Sequence, residues 1–331
     1  MVPPRESARL DQRDPAAVAA RPPRWFRLGR QAPLLTLAVL CVASALLSDR
    51  FLSSLNLTNI LVQCSVMAVI AMGMTFVVIG GGFDLSVGSV AALAGCIAAD
   101  VMLQHGIAAG VAAGLAISAL VGLSNGLAVT WLKVNPFITT LGTMVLVRGA
   151  VFLVTAGQPI TGDLGLPDAF VAFGAERFLG VHWLVWVPAI LLALLSWVLH
   201  RTPYGRTVFA TGGGREAAYL SGVPVDRITA STYVWCSTLA GLAGIMLAAR
   251  LQSGQPTAGE FYELTAIAAV VLGGAALHGG EGTLYNSVIG VFIMVVLGNS
   301  LNLLNVDSYW QRVAVGAVIV VAAAADRFRK R

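Results

Sequence analysis

A carboxylate, two hydroxyls and a run of glycines interrupt the apolar sequence between residues 80 and 95. The positions of interest are Gly82, Asp84, Ser86, Gly88 and Ser89. The apolar segments on both sides are long enough to cross a bilayer, so these polar groups fall at or near membrane depth. At that depth, irregular backbone and ionisable side chains occur where protein buries them or where they line a wet cavity. We therefore predict that this segment shapes the core of a helical bundle, with Asp84 capping the helix that follows.

Two other polar side chains fall inside apolar segments. Asn125 lies in a segment whose small residues recur every four positions, at Gly110, Gly114, Ser118, Gly122 and Gly126. This spacing predicts close helix packing, and Asn125 either bonds across helices or faces a solute pathway. Arg148 falls near mid-membrane, where an isolated arginine costs roughly 2.5–3.5 kcal/mol. It requires a carboxylate, carbonyl groups or a wet cavity. Asp84 is the nearest candidate partner by depth if its break is re-entrant, and direct contact with a solute is a further alternative.

Several common chemistries lack their motifs in this sequence. The only lysines are Lys133 and Lys330, and neither follows a glycine loop, so the chain has no phosphate-binding P-loop of its own. The four histidines and four cysteines are widely spaced and lack the spacing of metal ligands. No Ser/His/Asp set stands out. We therefore expect no catalytic residue, no metal and no cofactor, and any ATP that is used must bind to a partner.

The composition requires a membrane environment. Hydrophobic residues make up 57% of the 331 positions and charged residues 11%, whereas soluble domains carry roughly 25% charged residues. We predict an all-α integral membrane protein with about ten transmembrane helices. After a first anchoring span, four spans precede the loop of residues 157–182 and four follow the loop of residues 201–229, which suggests two related halves. The ten predicted segments are 33–48, 58–80, 84–104, 107–130, 138–156, 183–200, 230–249, 262–277, 285–304 and 311–326.

Positive charge predicts the orientation. Arginines concentrate in a disordered N-terminal tail (residues 1–32), in the loop of residues 201–229 and in a short basic tail (residues 327–331), which flank and interrupt a transmembrane domain of residues 33–326. With ten spans, all three basic regions fall on one side, so both termini are expected in the cytoplasm and residues 157–182 outside. The net charge of +5 is thus a signal of topology, and we expect no nucleic-acid binding.

The loop of residues 201–229 carries its own helix signals. Thr202 is a good N-cap with Pro203 at the first helical position, and the glycines at 212–214 end that helix. A second short helix is expected over 215–221, with Gly222 as a left-handed cap. Its residues of interest are Arg215, Glu216, Ala217 and Ala218. Small alanines allow such a helix to seat deeply in a partner, although a surface helix packed on its own protein would have the same composition.

These segments together closely resemble the permeases of sugar-type ABC importers, the ribose/xylose/arabinose group of the branched-chain amino acid/sugar permease superfamily. The resemblance covers residues 58–326. Its motifs are the segment 80–95, Glu216-Ala217-Ala218 followed by Gly222, and the stretches 135–143, 253–264, 268–274 and 279–283. The glycine-rich run at 212–214 departs from the family pattern, which usually contains asparagine.

The resemblance implies a bacterial inner-membrane transport subunit that is not an enzyme. In that family the loop carrying Arg215, Glu216, Ala217, Ala218 and Gly222 docks into a cytoplasmic ABC ATPase and carries its motion into the membrane. A periplasmic solute-binding protein and a second permease chain, identical or paralogous, complete the assembly. The expected substrate is a small monosaccharide.

Two alternatives stay open at this point. Related permeases carry branched-chain amino acids, nucleosides or other small polar solutes, and specificity rests mainly with the binding protein. An ion-coupled secondary transporter is an alternative of another class. It would require several intramembrane acids. The only good candidates for charges within the membrane are Asp84 and Arg148, and Asp100 lies near the end of a span.

Overall fold

The computed structural model describes residues 24–163 and 165–329, which form thirteen helices and one two-stranded sheet. The helices are α1 (Arg24–Leu47), α2 (Ser54–Ile79), α3 (Val87–His105), α4 (Ile107–Thr130), α5 (Pro136–Thr155), α6 (Asp168–Ala175), α7 (Trp183–Arg201), α8 (Pro203–Gly213), α9 (Arg215–Leu220), α10 (Val225–Leu251), α11 (Tyr262–Leu272), α12 (Leu284–Leu303) and α13 (Ser308–Arg329). The strands are β1 (Arg177–Phe178) and β2 (Val181–His182).

The chain divides into two compact units, residues 1–32 and 33–331. All contacts discussed below lie within the second unit. The predicted arginine-rich tail lies outside the described residues up to position 23, and the predicted basic tail at 327–331 lies outside them from position 330.

Each of the ten predicted apolar segments contains a helix, so the all-α membrane architecture is confirmed. Among the described residues, seven helices are long and apolar enough to span a membrane, namely α2, α3, α4, α5, α7, α10 and α12. Three apolar stretches are shorter, at Gln31–Leu47, Tyr262–Leu272 and Ser308–Val321. The segment predicted to run to residue 277 ends five residues earlier because Gly273 and Gly274 cap α11. The chain is thus a multi-pass membrane protein.

The core of the second unit is built around α2, α3 and α10. α2 is apolar on all sides, and most of its residues from Ile60 onward are buried, as expected of a central helix. α10 packs against α2, α3 and α4, while α5 packs mainly on α3. α4, α5 and α7 bury only about a fifth of their apolar windows, so their remaining surface is free for lipid or for another chain.

The small residues of α4 provide its contact with α3 and α10, which confirms the packing prediction. Gly114 lies against the carbonyl oxygen of Ala94, where an added Cβ would approach to 2.8 Å. Gly122 lies against α10, where a Cβ would come within 2.6 Å of the Tyr233 carbonyl oxygen. The buried residues of α4 include this whole stripe, and close backbone approach of this kind holds transmembrane helices together.

The break between α2 and α3 is a well-defined turn. The amides of Gly81 and Gly82 donate hydrogen bonds of 2.9 Å to the carbonyls of Val78 and Val77, respectively. Gly81 has a φ of +85°, which completes a Schellman cap that only glycine adopts without strain. The break therefore satisfies the end of α2 internally, as buried backbone requires.

The segment between α5 and α7 carries structure that the sequence did not predict. It contains α6 and a hairpin in which Arg177 pairs with His182 and Phe178 with Val181. Leu179 and Gly180 both have positive φ and form the two-residue turn of that hairpin.

Candidate functional site

Asp84 is fully buried at the break between α2 and α3. Its Oδ1 accepts hydrogen bonds from the Ser86 amide at 2.9 Å and from the Ser86 hydroxyl at 2.5 Å. Its Oδ2 accepts a longer bond, 3.3 Å, from the hydroxyl of Ser237 in α10. The prediction that Asp84 caps the following helix was wrong, because Ser86 is the N-cap residue and α3 begins at Val87. Asp84 instead fixes the turn that precedes the helix.

Asn125 extends this network to two other helices. Its Nδ2 donates to the Ser86 hydroxyl oxygen at 3.0 Å, and its Oδ1 accepts from the hydroxyl of Thr143 in α5 at 2.6 Å. Asn125 is buried, so both halves of its amide are used inside the protein. A continuous chain of polar side chains therefore joins the α2–α3 break to α4, α5 and α10. Of the two predicted roles for Asn125, the structure favours the bond across helices.

The two glycines of this segment permit close contacts. A Cβ on Gly82 would come within 2.5 Å of the Tyr233 hydroxyl oxygen. A Cβ on Gly88 would overlap the carbonyl oxygen of Gly259, in the loop that follows α10. Ser89 is buried and donates to the Ser86 carbonyl at 2.9 Å. The predicted segment is thus gathered into one buried cluster, and its polar groups bond to protein.

Arg148 has a different partner from the one predicted by depth. Its Nη1 donates to the carbonyl oxygens of Pro256 and Ala258 at 2.8 and 2.9 Å. The hydrogen bonds of Asp84 go instead to Ser86 and Ser237. The pairing with Asp84 was wrong, and the alternative of carbonyl groups holds. Arg148 fixes the loop that follows α10.

The loop of residues 201–229 forms the two short helices that its sequence predicts. The Thr202 hydroxyl accepts a bond from the Gly205 amide at 3.4 Å, and Pro203 begins α8. α9 covers Arg215–Leu220. Gly222 has a φ of +82° and its amide donates to the Tyr219 carbonyl at 2.9 Å, which confirms the predicted left-handed cap.

An ionic cluster ties this loop to the rest of the protein. Asp226, in the first turn of α10, accepts from Arg215 at 2.6 Å and from Lys133 at 3.1 Å. Lys133 lies between α4 and α5, so one carboxylate links three parts of the chain. All three side chains are about half-exposed or more, where an ion pair contributes at most about 1 kcal/mol. The cluster fixes the position of α9 more than it stabilises the fold.

The exposed face of α9 differs from the face expected. Glu216 and Ala217 are exposed, but Ala218 is only 5% exposed and packs against its own chain. Arg215 is engaged by Asp226. The side chains that project furthest are Tyr219 and Leu220, at 71% and 78% exposure.

A groove of about 770 Å³ opens beside α9 and is lined by Lys133, Arg215, Glu216, Tyr219, Pro224, Val225, Asp226 and Arg227. It combines an apolar side chain with both signs of charge. Such a surface suits a protein partner, since interfaces carry an apolar centre within a polar rim.

Only weak signals in the sequence pointed to the bonding partners in the buried network and in the ionic cluster. Thr143 and Ser237 are single hydroxyls in apolar helices, which usually bond to their own backbone. Asp226 falls in the loop before the predicted segment 230–249, and nothing local connects it to Lys133. Among the described residues, no group of three His, Cys, Asp or Glu side chains is arranged to hold a metal ion.

Comparison with known proteins places most of the chain in one family. The family model described as branched-chain amino acid transport system / permease component matches residues 56–323. That range contains the buried network, Arg148 and both helices of the 201–229 loop. No solved structure matches the chain.

Curated relatives match over nearly the whole length. The ribose import permease protein RbsC of Bacillus subtilis (strain 168) is 45% identical over 301 residues, covering 89% of this chain and 92% of the relative. The protein of the same name from Escherichia coli (strain K12) is 44% identical, covering 90% and 94%. The L-arabinose transport system permease protein AraH of Escherichia coli (strain K12) is 38% identical, covering 93% and 92%.

Proposed function

Because the chain belongs to the family of branched-chain amino acid transport system permease components, we propose that it is the membrane-spanning permease subunit of an ABC importer for a monosaccharide. The observation that carries this proposal is the 38–45% identity to ribose and arabinose import permeases over about nine-tenths of the chain. The subunit carries the solute across the membrane and is not an enzyme. ATP is bound and hydrolysed by a separate ATPase subunit, and a solute-binding protein delivers the sugar.

The substrate class we propose is a pentose. Both of the sugars that name the relatives are five-carbon aldoses, whose several hydroxyls require a wet or polar route through the bilayer. We assign the buried network of Asp84, Ser86 and Asn125 a structural role, since its polar atoms bond to one another. It holds the α2–α3 break in shape while the solute passes elsewhere along the helices.

The loop of residues 201–229 is the contact with the ATPase in this proposal. Tyr219 and Leu220 supply exposed apolar area on a helix whose position is fixed by the Asp226 cluster. Burial of one such side chain contributes roughly 1.5–3 kcal/mol. Glu216 and Ala217 precede this apolar pair in α9 and are also exposed. Ala218 supports α9 from inside.

We assign the α8–α9 end of the bundle to the cytoplasm. Two observations support this orientation. Basic residues concentrate in the loop of residues 201–229, and Lys133 contacts that loop at the same end. The opposite assignment would leave these charges outside the bacterial inner membrane. Two permease chains pair in the assembly, so that each presents one α8–α9 surface to one ATPase.

A matched pair of leucines tests the ATPase contact. Leu220 in α9 and Leu179 in the β1–β2 turn are both 78% exposed, and neither substitution to aspartate disturbs a buried contact. Leu220→Asp is expected to weaken co-purification of the ATPase about tenfold or more, because burying a charge in place of a leucine costs well over 1.4 kcal/mol. Leu179→Asp is expected to leave co-purification unchanged. If both variants retain the ATPase at the level of the unchanged protein, α9 is not the contact.

Orientation is tested by single cysteines on a cysteine-free background. A cysteine at position 168 in α6 should react with an impermeant maleimide in intact cells, and one at position 220 should react only after the inner membrane is opened. The reverse pattern would overturn the assignment of the two ends.

A further inference from the structure

Four glycines bring three separate segments into backbone contact at the α8–α9 end. They are Gly81 in the α2–α3 break, Gly212 near the end of α8, and Gly279 and Gly280 in the loop between α11 and α12. We call this set the glycine junction. Through these glycines, α8 contacts both the α2–α3 break and the loop between α11 and α12.

The contacts at the junction leave no room for side chains. A Cβ on Gly212 would overlap the carbonyl oxygen of Ile79, the last residue of α2, and would lie 2.7 Å from the Gly280 nitrogen. A Cβ on Gly279 would lie 2.9 Å from both the Gly81 Cα and the Gly212 oxygen. The Gly280 amide also donates a hydrogen bond of 2.8 Å to the Ile79 carbonyl. α8 therefore touches the backbones of both turns at one point.

The two turns are built alike and both interrupt apolar helices. α2 ends in a glycine cap at Gly81, and α11 ends in the same kind of cap at Gly274, whose amide donates to the Val271 carbonyl at 2.8 Å. Each turn is followed by a helix that re-enters the bundle, α3 and α12 respectively.

We propose that the glycine junction transmits the movement of α8 and α9 to the α2–α3 and α11–α12 turns, so that one displacement at the ATPase contact shifts both. Backbone in direct contact with backbone has no rotamers to absorb a displacement, and close-packed protein is nearly incompressible. α8 is also held to α10 by the 2.9 Å bond between the Tyr204 and Ser231 hydroxyls, so it moves as a supported element. This inference rests on the proposed function, because it requires an ATPase that moves α9.

Neighbouring glycines give a matched pair of variants. Gly212→Ala inserts a methyl group into the Ile79 carbonyl, whereas Gly213→Ala places one 3.9 Å from the Gly280 Cα, which is ordinary contact. Both changes favour helix to the same degree. Gly212→Ala is expected to retain the ATPase and its basal hydrolysis while transport per ATP falls about tenfold or more, and Gly213→Ala should transport normally. A merely structural role would lower membrane abundance and leave the ratio of transport to hydrolysis unchanged, and that result would overturn the proposal.

A second measurement uses the unchanged protein, so a variant that fails to fold does not decide the question. Hydrogen exchange is followed in the reconstituted permease–ATPase complex with and without vanadate-trapped nucleotide. Residues 80–86 and 275–283 should change protection together with residues 208–214. If residues 208–214 change and the other two segments do not, the junction does not transmit. If none of the three changes although nucleotide is trapped, the ATPase does not act on this loop and the proposed function itself fails.

Discussion

Replacing Asp84 should separate the two tasks of its carboxylate, which are to accept two short bonds from Ser86 and one long bond from Ser237. Asp84→Ala leaves the Ser86 amide and hydroxyl buried without an acceptor, at about 1–3 kcal/mol each, so the expected cost is about 2–6 kcal/mol. Asp84→Asn keeps one acceptor oxygen for Ser86 and should cost about 1–2 kcal/mol. Because the amide nitrogen can donate to the Ser237 oxygen, the third contact survives in altered form.

Thermal unfolding of the purified permease in detergent, followed by tryptophan fluorescence, measures this difference. With roughly 1.5 °C per kcal/mol for a chain of 331 residues, the midpoint should fall by roughly 3–9 °C for Asp84→Ala and by under about 3 °C for Asp84→Asn. Asp163→Ala, at an exposed aspartate, is the control and should leave the midpoint unchanged. Transport should fall in the same order, while the ATPase still co-purifies with the permease that remains. Equal midpoints for both variants and the unchanged protein would refute the view that Asp84 holds the break.

Other predictions follow from the helix contacts. Gly122→Val should lower membrane abundance severalfold, because its side chain would meet the backbone of α10, whereas Ser124→Val on the exposed face of α4 should not; equal abundance on immunoblots would contradict the packing. Arg148→Met removes both bonds to the loop after α10 and should raise cleavage of that loop by external protease about threefold or more in spheroplasts. Unchanged cleavage would show that Arg148 does not hold the loop. Thr143→Val leaves the Asn125 oxygen unpaired and should lower the unfolding midpoint by about 1.5–4.5 °C; no shift would show that the 2.6 Å bond carries no stability.

The sequence predicted the features that depend on local composition. Hydropathy identified ten helices because a bilayer leaves an apolar segment few other structures. The caps at Thr202 and Gly222 were readable because hydroxyl and left-handed caps require particular residues at fixed positions. The burial of Asp84 followed from the apolar segments that flank it.

What the sequence could not predict depends on how helices rotate and which neighbours they meet. Arg148 bonds to backbone carbonyls and not to Asp84, and those carbonyls are more than a hundred residues away in the chain. In a six-residue helix such as α9, composition alone does not decide which alanine faces inward, so Ala218 was assigned to the partner contact although it is buried. The contact of Gly212 with the Ile79 carbonyl is equally invisible, because it joins segments that no local pattern connects.

Uptake into proteoliposomes distinguishes an ATP-driven importer subunit from an ion-coupled transporter. The permease is reconstituted with its ATPase, with ATP on the α8–α9 side and with solute-binding protein and radiolabelled ribose or arabinose on the other. Our account predicts uptake that requires ATP, the ATPase and the binding protein together, and that Leu220→Asp reduces about tenfold while Leu179→Asp does not. Uptake driven by a proton or sodium gradient in the absence of ATP would contradict it.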